Sequence, residues 1–264
     1  MRATVAERDA VAAELIRYAL ELAESGAVQV GDAFTDDIAA DEFIKCSAEA
    51  FLIGMLFTQG MPAERAWAGP YRLAQRLGHF DLARIAAEPD SVVAAFAQPP
   101  ALHRFVKTLP VWVSSAARRL IAEYDGDAAT IWPDGAHVTE VTRRLLEFDG
   151  IGPKKATMAV ELLVRNRGVC LEGMECGSVA YDVHVRRVFL RSGLVDADTP
   201  VEVRRAASAA YPDEPGMLDL PAWLIGRETC RPKSPDCDAC RLRNVCPRLT
   251  SRSVSGVGAR KGPR

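Results

Sequence analysis

Residues 148–156 read FDGIGPKKA, and this stretch decides the fold. Before it, the apolar residues of 138–148 recur at the spacing of one buried helix face, and a second apolar helix follows over 153–167. Gly150 and Gly152 let the backbone turn tightly and bring its amide groups close to another molecule. The stretch therefore predicts two helices joined by a tight hairpin.

The amino end of the second helix is a candidate phosphate site. Pro153 suits the first helical position, because its missing N–H costs nothing there. The exposed N–H groups of such an end attract phosphate without side-chain charge. A plain connector between two helices explains the two glycines equally well, and both interpretations stay open at this point.

Two lysines and a carboxylate indicate nucleophilic chemistry. Lys154 and Lys155 lie in the first turn of their helix, where the helix dipole and their mutual repulsion lower the pKa of one or both amines. A neutral amine is what a lysine nucleophile requires. Residues 181–184, YDVH, open a later helix, and Asp182 can accept a proton from an amine or stabilise a cationic sugar. Asp182 by itself also fits a helix N-cap.

A group of cysteines near the end of the chain predicts a metal centre. The pattern C-x6-C-x2-C-x5-C is formed by Cys230, Cys237, Cys240 and Cys246. Four thiolates hold either a structural zinc ion or a [4Fe–4S] cluster. The single C-x2-C knuckle favours iron–sulfur, because simple zinc modules pair two such knuckles. Arg231 and Lys233 lie in the six-residue segment between Cys230 and Cys237 and would form a small basic surface beside the metal centre.

The composition narrows the class of protein. The 264 residues include 33 basic and 35 acidic ones, so a polyanionic partner must be held by a local patch rather than by net charge. The longest apolar run, 50–57, is far below the roughly 18 residues of a membrane span. The mixed charges of 1–9 do not fit a signal peptide. We expect a soluble, cytoplasmic and nucleoid-associated protein with no membrane partner.

Helical periodicity extends over most of the chain. It predicts an all-α fold of about ten helices, including one helix over 43–58 and a helical stretch over 62–77. The odd number of cysteines argues against a disulfide framework, and those outside the cluster pattern are interpreted as ordinary free thiols. Residues 248–264 are Ser/Gly-rich and basic, which predicts a disordered tail or a weak electrostatic arm for DNA.

Together these motifs resemble the helix–hairpin–helix (HhH-GPD) DNA glycosylase superfamily, in the iron–sulfur branch typified by endonuclease III. Residues 148–156 resemble the family's L-P-G-V-G-x-K-T-A, 181–184 resemble V-D-T-H, and 56–59, LFTQ, resemble L-S-x-Q. The cysteine spacing is that of the family's cluster loop. The resemblance covers roughly residues 45–247.

The resemblance implies two helical domains that flank a DNA-binding cleft, with the cluster loop near the C-terminus. A six-helix barrel domain ending in the helix–hairpin–helix is expected over 45–155. Residues 1–44 and 156–247 are expected to form the iron–sulfur domain, and 248–264 the basic tail. A monomer is the default for such a fold.

The resemblance also implies a reaction and its residues. Lys154 falls at the nucleophile position and would attack the sugar C1′, expel the base and form a Schiff base that allows β-elimination. Asp182 falls at the position of the carboxylate that activates the amine. Gln59 falls where the family inserts a side chain into the space left by a flipped base. The predicted further DNA contacts are Gly150, Gly152, Lys155, His184, Arg231 and Lys233.

Several positions depart from the family pattern. Lys154 and Asp182 are 28 residues apart, about ten more than usual, and the surplus forms a loop over 166–177. Trp112 is either a stacking surface for an unpaired base or a core residue, and Asp149 brings an acid close to the phosphate site. These differences surround the substrate pocket.

The expected function is base-excision repair of duplex DNA that carries a damaged base or an abasic site. The resemblance implies a glycosylase with AP-lyase activity and an oxidised pyrimidine as the damaged base. One alternative is a monofunctional glycosylase for another damaged or modified base. A second alternative is a DNA-structure binder without catalysis, and a zinc-stabilised scaffold is the third.

Overall fold

The computed structural model describes residues 2–24 and 34–250, and within these ranges the protein is helical without a β-strand. The all-α prediction is confirmed. One isolated parallel bridge joins His137 and Glu172. The α-helices of the described residues are α1 (Val5–Glu24), α2 (Ile38–Cys46), α3 (Ala48–Phe57), α4 (Ala63–Trp67), α5 (Gly69–Leu77), α6 (Leu82–Ala87), α7 (Pro89–Ala97), α8 (Leu109–Glu123), α9 (Val138–Leu146), α10 (Pro153–Arg167), α11 (Val185–Arg191), α12 (Pro200–Ala210) and α13 (Asp219–Glu228).

The helices fall into two compact units. Residues 25–173 form one unit, which we call the hairpin unit, and residues 1–24 with 174–264 form the other, the cysteine unit. The division of the chain into a barrel domain over 45–155 and an iron–sulfur domain over 1–44 and 156–247 stays a prediction. From residue 251 onwards the predicted tail lies outside the described residues.

The hairpin unit is built around α3. Every residue of α3 from Ala50 to Phe57 is buried, as a helix with apolar residues on all sides requires. Phe51 stacks on Trp67 at a centroid distance of 5.5 Å and meets Trp132 edge-on at 5.7 Å. The core thus consists of one fully apolar helix enclosed by the helices and loops of its own unit.

Polar caps divide the first long predicted helix. The stretch 43–58 was expected as one helix, but α2 ends at Cys46 and α3 begins at Ala48. Ser47 is in an extended conformation, and its hydroxyl accepts the backbone N–H of Ala50 at 2.9 Å. A serine at the N-cap position favours the start of a helix, and here this cap overrides the apolar periodicity.

The cysteine unit packs α13 against α1 and α11. Its core joins Val11 and Leu15 of α1 with Phe189 of α11 and Ile225 of α13. Cys240 belongs to the same buried cluster, so the cysteine loop is continuous with the apolar core of this unit. In the described part of the chain, no helix is long and apolar enough to cross a membrane.

Candidate functional site

The hairpin has the geometry that the sequence predicts. Helix α9 ends at Leu146, and the amide of Ile151 donates to the carbonyl of Phe148 at 3.0 Å to close the turn. Gly150 has φ +84°, a conformation that L side chains rarely adopt. Gly152 begins α10 without a side-chain cap, and Pro153 takes the first helical position. The amino end of α10 therefore meets solvent beside a backbone turn, as a phosphate site requires.

Helix α8 supports this turn from the inside. A Cβ atom on Gly150 would lie 2.4 Å from Cε3 of Trp112, so the indole fills the space under the glycine. Ser115 donates a hydrogen bond of 2.9 Å from its hydroxyl to Asp149. Trp112 is thus half-buried against the hairpin, and the acid at 149 is hydrogen-bonded to the same helix.

The two lysines of the hairpin have opposite environments. Lys154 is exposed in the first turn of α10. Lys155 is only 8% exposed, and its ammonium donates to the carbonyl of Leu56 at 2.9 Å. Burial, together with the charge of Lys154, lowers the pKa of Lys155 from its usual 10.5 to about 8. The lowered pKa expected for one of the two amines therefore occurs at Lys155, and burial is its main cause.

Gln59 lies on an exposed turn directly after α3. His103 contacts the carbonyl of Phe57 through Nε2 at 3.2 Å, and Arg104 donates to the carbonyl of Gly60 at 3.4 Å. The backbone on both sides of Gln59 is thus hydrogen-bonded to residues 103–104, and its side chain lies at the surface of the hairpin unit.

Asp182 is buried three residues before the start of α11 in the cysteine unit. Its Oδ1 accepts the backbone N–H of His184 at 2.7 Å. Next to it, the Tyr181 hydroxyl donates to Oδ1 of Asp198 at 2.9 Å and accepts from Arg186 at 3.3 Å. A buried polar network therefore fixes the backbone around the carboxylate.

His184 is packed rather than exposed. A Cβ on Gly226 would lie 2.7 Å from its Cβ, and its ring meets Trp223 at 6.0 Å. Arg187 lies 3.1 Å from Nδ1 of His184. These contacts indicate a structural role for His184 in the cysteine unit. Its role as a DNA contact stays a prediction.

The predicted metal ligands lie around one cavity. It measures about 400 Å³, part of it open to solvent, and it is lined by residues that include Cys230, Cys237, Cys240 and Cys246. All seven cysteines of the chain are free thiols. Cys46, Cys170 and Cys176 are exposed, as expected for ordinary surface thiols.

Hydrogen-bond donors surround the cavity sulfurs. The backbone N–H of Arg248 donates to Sγ of Cys246 at 3.3 Å, and the Arg191 guanidinium lies 3.9 Å from Sγ of Cys230. Burial raises the pKa of the Cys246 thiol to about 11, and it raises that of Cys230 against the opposing effect of Arg191. Four thiols in one partly buried cavity, with cationic and amide donors beside them, fit a tetrathiolate centre whose positive core stabilises the thiolates.

Two arginines of α11 connect the cysteine loop to the rest of the cysteine unit through hydrogen bonds. The sequence motifs did not include these two residues. Arg187 donates to the carbonyls of Val183, Gly226 and Cys230 at 2.6–2.8 Å. Arg191 donates to the carbonyls of Arg231 and Pro232 at 2.7 and 2.9 Å. Charged side chains that are buried in a helix need hydrogen-bond partners, and here the partners come from segments about 40 residues away in the sequence. Arg231 and Lys233 themselves are exposed on the loop.

The first part of the surplus loop folds back onto the segment before α9. The amide of Gly135 donates to the carbonyl of Cys170 at 2.7 Å, and the amide of Val138 donates to Glu172 at 2.8 Å. The amide of Cys170 in turn donates to the Asp134 carboxylate at 2.9 Å. Residues 168–173 are therefore an ordered part of the hairpin unit.

Comparison with known proteins finds several relatives that have the same name, endonuclease III. No family model matches the chain. Endonuclease III of Rickettsia conorii is 29% identical over 153 residues, which cover 55% of this chain and 63% of that protein. Endonuclease III of Thermotoga maritima is 29% identical over 113 residues, which cover 42% and 48%. The chain thus spans about half to just under two thirds of the length of these relatives.

Solved structures with the same fold cover more of the chain. A trapped endonuclease III–DNA covalent intermediate matches with a TM-score of 0.58 and 19% identity, over 81% of this chain and 94% of the other. A thermostable thymine-DNA glycosylase matches with a TM-score of 0.59 and 13% identity, over 93% and 98%. At these identities the likeness establishes the fold.

Proposed function

Because the chain belongs to the helix–hairpin–helix DNA glycosylase superfamily, we propose that it removes a damaged base from duplex DNA and then cleaves the abasic strand by β-elimination. The observation that carries this proposal is the exposed Lys154 in the first turn of α10, directly after a hairpin suited to phosphate. A protein that only bound DNA would have no need of an amine at this place.

The proposed reaction begins at the amine of Lys154. In its neutral form the amine attacks C1′ of the flipped nucleotide, so that the N–C1′ bond forms as the glycosidic bond breaks. The base leaves as an anion and takes up the proton that the new C1′ ammonium group releases. The sugar ring opens to an iminium ion on the lysine. Loss of a proton from C2′ then expels the 3′ phosphate, and water hydrolyses the imine to release the enzyme.

Asp182 is proposed as the acid–base partner. Its carboxylate accepts the proton that the Lys154 ammonium must lose, and it stabilises the positive charge that develops on the sugar. The buried network of Tyr181, Arg186 and Asp198 supports this role, because it fixes the backbone that bears the carboxylate.

The proposed DNA contacts divide by function. The amides around Gly150 and Gly152 bind the phosphate backbone, and Gln59 enters the space vacated by the flipped base. Arg231 and Lys233, both exposed, add electrostatic contacts to the backbone. Lys155 is removed from this group, because its ammonium is buried against Leu56.

The cofactor is proposed to be a [4Fe–4S] cluster held by Cys230, Cys237, Cys240 and Cys246. It supplies a rigid framework for the loop that carries Arg231 and Lys233, and the proposed reaction takes no electron from it. The spacing of the cysteines and their shared cavity support iron–sulfur over isolated thiols.

For the substrate we assign an oxidised pyrimidine, with the protein acting as a monomer. This class of base is taken from the resemblance of the motifs over 56–59, 148–156 and 181–184 to the endonuclease III branch. A different damaged or modified base is the alternative favoured by the departures at Asp149 and Tyr181.

The decisive experiment is reductive trapping. The protein is mixed with a duplex that bears one abasic site, borohydride is added, and the covalent adduct is measured on a denaturing gel. We expect an adduct with the wild type and with Lys45→Met, an exposed lysine on α2, but none with Lys154→Ala.

A second assay separates the alternatives. Base release is followed on duplexes that carry an oxidised pyrimidine or other modified bases, with the wild type and Lys154→Gln. Base release that survives in Lys154→Gln without any adduct would identify a monofunctional glycosylase. Specific binding to abasic duplexes without base release on any substrate would identify a binder and overturn the proposal.

A further inference from the structure

The carboxyl end of α3 lies in a buried setting where its last carbonyls need donors. A helix leaves its final carbonyl groups without intrahelical partners, and burying them unpaired is costly. Leu56 and Phe57 are completely buried. Thr58, the next residue, directs both its amide and its hydroxyl to the carbonyl of Met55. The carbonyls of Leu56 and Phe57 must therefore be satisfied from elsewhere in the fold.

Side chains from two distant segments provide those donors. Lys155 of α10 donates its ammonium to Leu56 at 2.9 Å. His103 lies 3.2 Å from the carbonyl of Phe57 through Nε2, while its Nδ1 accepts the amide of Phe105 at 3.0 Å. The second bond requires Nδ1 to be unprotonated, so the proton lies on Nε2 and the imidazole is neutral. Burial lowers the pKa of His103, which favours the same neutral form.

Electrostatics favours Lys155 at this place. A cation near the carboxyl end of a helix is stabilised by the helix dipole, and a lysine there commonly bonds to the last carbonyls. The neighbouring Lys154 has the reverse setting, since it lies at the amino end of α10. Two adjacent lysines thus have separate tasks, one facing solvent and the other bonded to α3.

We infer that Lys155 is a positioning residue that holds the Gln59 turn in register with the phosphate-binding hairpin. Its main chain belongs to the first turn of α10, and its ammonium fixes the last turn of α3, two residues before Thr58 and three before Gln59. Binding of phosphate at the hairpin and insertion of Gln59 are therefore mechanically linked through one side chain. This inference rests on the proposed function, because it assigns Gln59 to the space left by a flipped base.

The test uses two duplexes and needs no turnover. One carries a tetrahydrofuran abasic-site analogue opposite 2-aminopurine, whose fluorescence rises when it loses its stacked surroundings, and the other is the intact duplex. We expect Lys155→Met to bind the intact duplex within about twofold of the wild type. Its preference for the analogue falls about tenfold, the size expected when a buried hydrogen bond is lost. The fluorescence increase is lost with it.

Four further variants distinguish positioning from general damage. Lys155→Arg, which keeps a cationic donor, restores most of the preference. Gln59→Ala lowers the preference on its own, and adding Lys155→Met to it lowers it little further, because both changes remove the same insertion step. Lys45→Met, an exposed lysine on α2, leaves both affinities unchanged. Additive losses, or an unchanged preference in Lys155→Met, would overturn the inference.

A labelling experiment on the wild type keeps the inference testable where Lys155→Met fails to fold. Acetylation of the native protein is followed by mass spectrometry, with and without the analogue duplex. Lys155 is protected in both states, whereas Lys154 reacts in the free protein and is protected by DNA. Rapid acetylation of Lys155 in the free protein would contradict the buried hydrogen bond from its ammonium to the carbonyl of Leu56. Absence of any preference for the analogue in the wild type, with Lys155 still protected, would count against the proposed function instead.

Discussion

In the hairpin unit the central helix α3 is held by hydrocarbon and aromatic side chains, whereas the seven-residue helix α11 of the cysteine unit buries three guanidinium groups. Arg186, Arg187 and Arg191 are each at most 6% exposed. The fully apolar helix α3 carries no charge beyond Glu49 in its first turn. The central helix α3 of one unit and helix α11 of the other therefore depend on different interactions for their burial.

The difference indicates which unit needs an additional component. Arg187 and Arg191 donate to backbone carbonyls of the cysteine loop, and the Arg191 guanidinium lies 3.9 Å from Sγ of Cys230. The cavity of four cysteines lies directly beside Arg191. A metal centre with four thiolates brings negative charge to this place. We accordingly expect the cysteine unit, and not the hairpin unit, to depend on its cofactor.

The largest expected effect comes from Cys240→Ser, which removes the most deeply buried of the four cysteines. We expect loss of iron and sulfide, and a decrease of more than about 4 kcal/mol in the free energy of unfolding, because metal binding and folding are coupled. Hydrogen exchange should show α11 and α13 losing protection while α3 and α10 retain theirs. Cys46→Ser, at an exposed thiol of the hairpin unit, should change none of these quantities, and a full cluster content in Cys240→Ser would refute the assignment.

Arg191→Met is expected to be the next most damaging change. It leaves the carbonyls of Arg231 and Pro232 without their donor and removes the charge beside Cys230, at a cost of about 3 kcal/mol in urea unfolding. Arg204→Met, at an exposed position of α12, is the matched control and should stay within about 0.5 kcal/mol of the wild type. Equal effects of the two substitutions would remove the contrast between the units.

The sequence predicted the hairpin unit well where side-chain periodicity decides the structure. Helix α10 was expected over 153–167 and occupies that range, because Pro153 starts it and Gly168 ends it in a left-handed conformation. The division of 43–58 at Ser47 was missed, since one polar residue in an apolar stretch gives a weak periodicity signal. Residues 181–184 were expected to open a helix, but α11 begins only at Val185, because Tyr181 and Asp182 are engaged in side-chain bonds instead.

The residues of the candidate site could be predicted only where they form a motif with a fixed spacing along the sequence. The cysteine pattern and the hairpin are local in sequence, so their residues could be named in advance. The orientation of Lys155 depends on Leu56, 99 residues away, and the donor role of Arg191 depends on a loop 40 residues away. Such contacts follow from tertiary packing, and no local pattern indicates them.

A moderate effect is expected from Gly150→Ala in the hairpin. The substitution forces φ +84° on an alanine and drives its Cβ into Trp112, at a cost of about 2 kcal/mol in urea unfolding. Gly78→Ala is the matched control, because Gly78 has φ +73° but no atom within 4 Å of its Cβ site. It should cost only about 1 kcal/mol. The excess in Gly150→Ala measures the contact with Trp112, and equal costs would show that α8 does not support the turn.

The smallest expected effect is a pH dependence that separates Lys155 from the buried arginines, whose side chains stay charged throughout the accessible range. Burial and the charge of Lys154 lower the pKa of Lys155 to about 8, and the neutral His103 is another titratable neighbour. Between pH 8 and the usual pKa of 10.5, the unfolded chain therefore binds the proton that the folded chain has released, so stability rises with pH in this window.

Relative to Lys155→Met, the wild type should gain about 1 kcal/mol in urea unfolding between about pH 7.5 and about pH 9. Arg191→Met, compared with the wild type in the same way, should show a difference that does not change with pH. A constant difference for Lys155→Met as well would mean that its ammonium is solvated in the folded protein, which would contradict both the burial of Lys155 and its bond to Leu56.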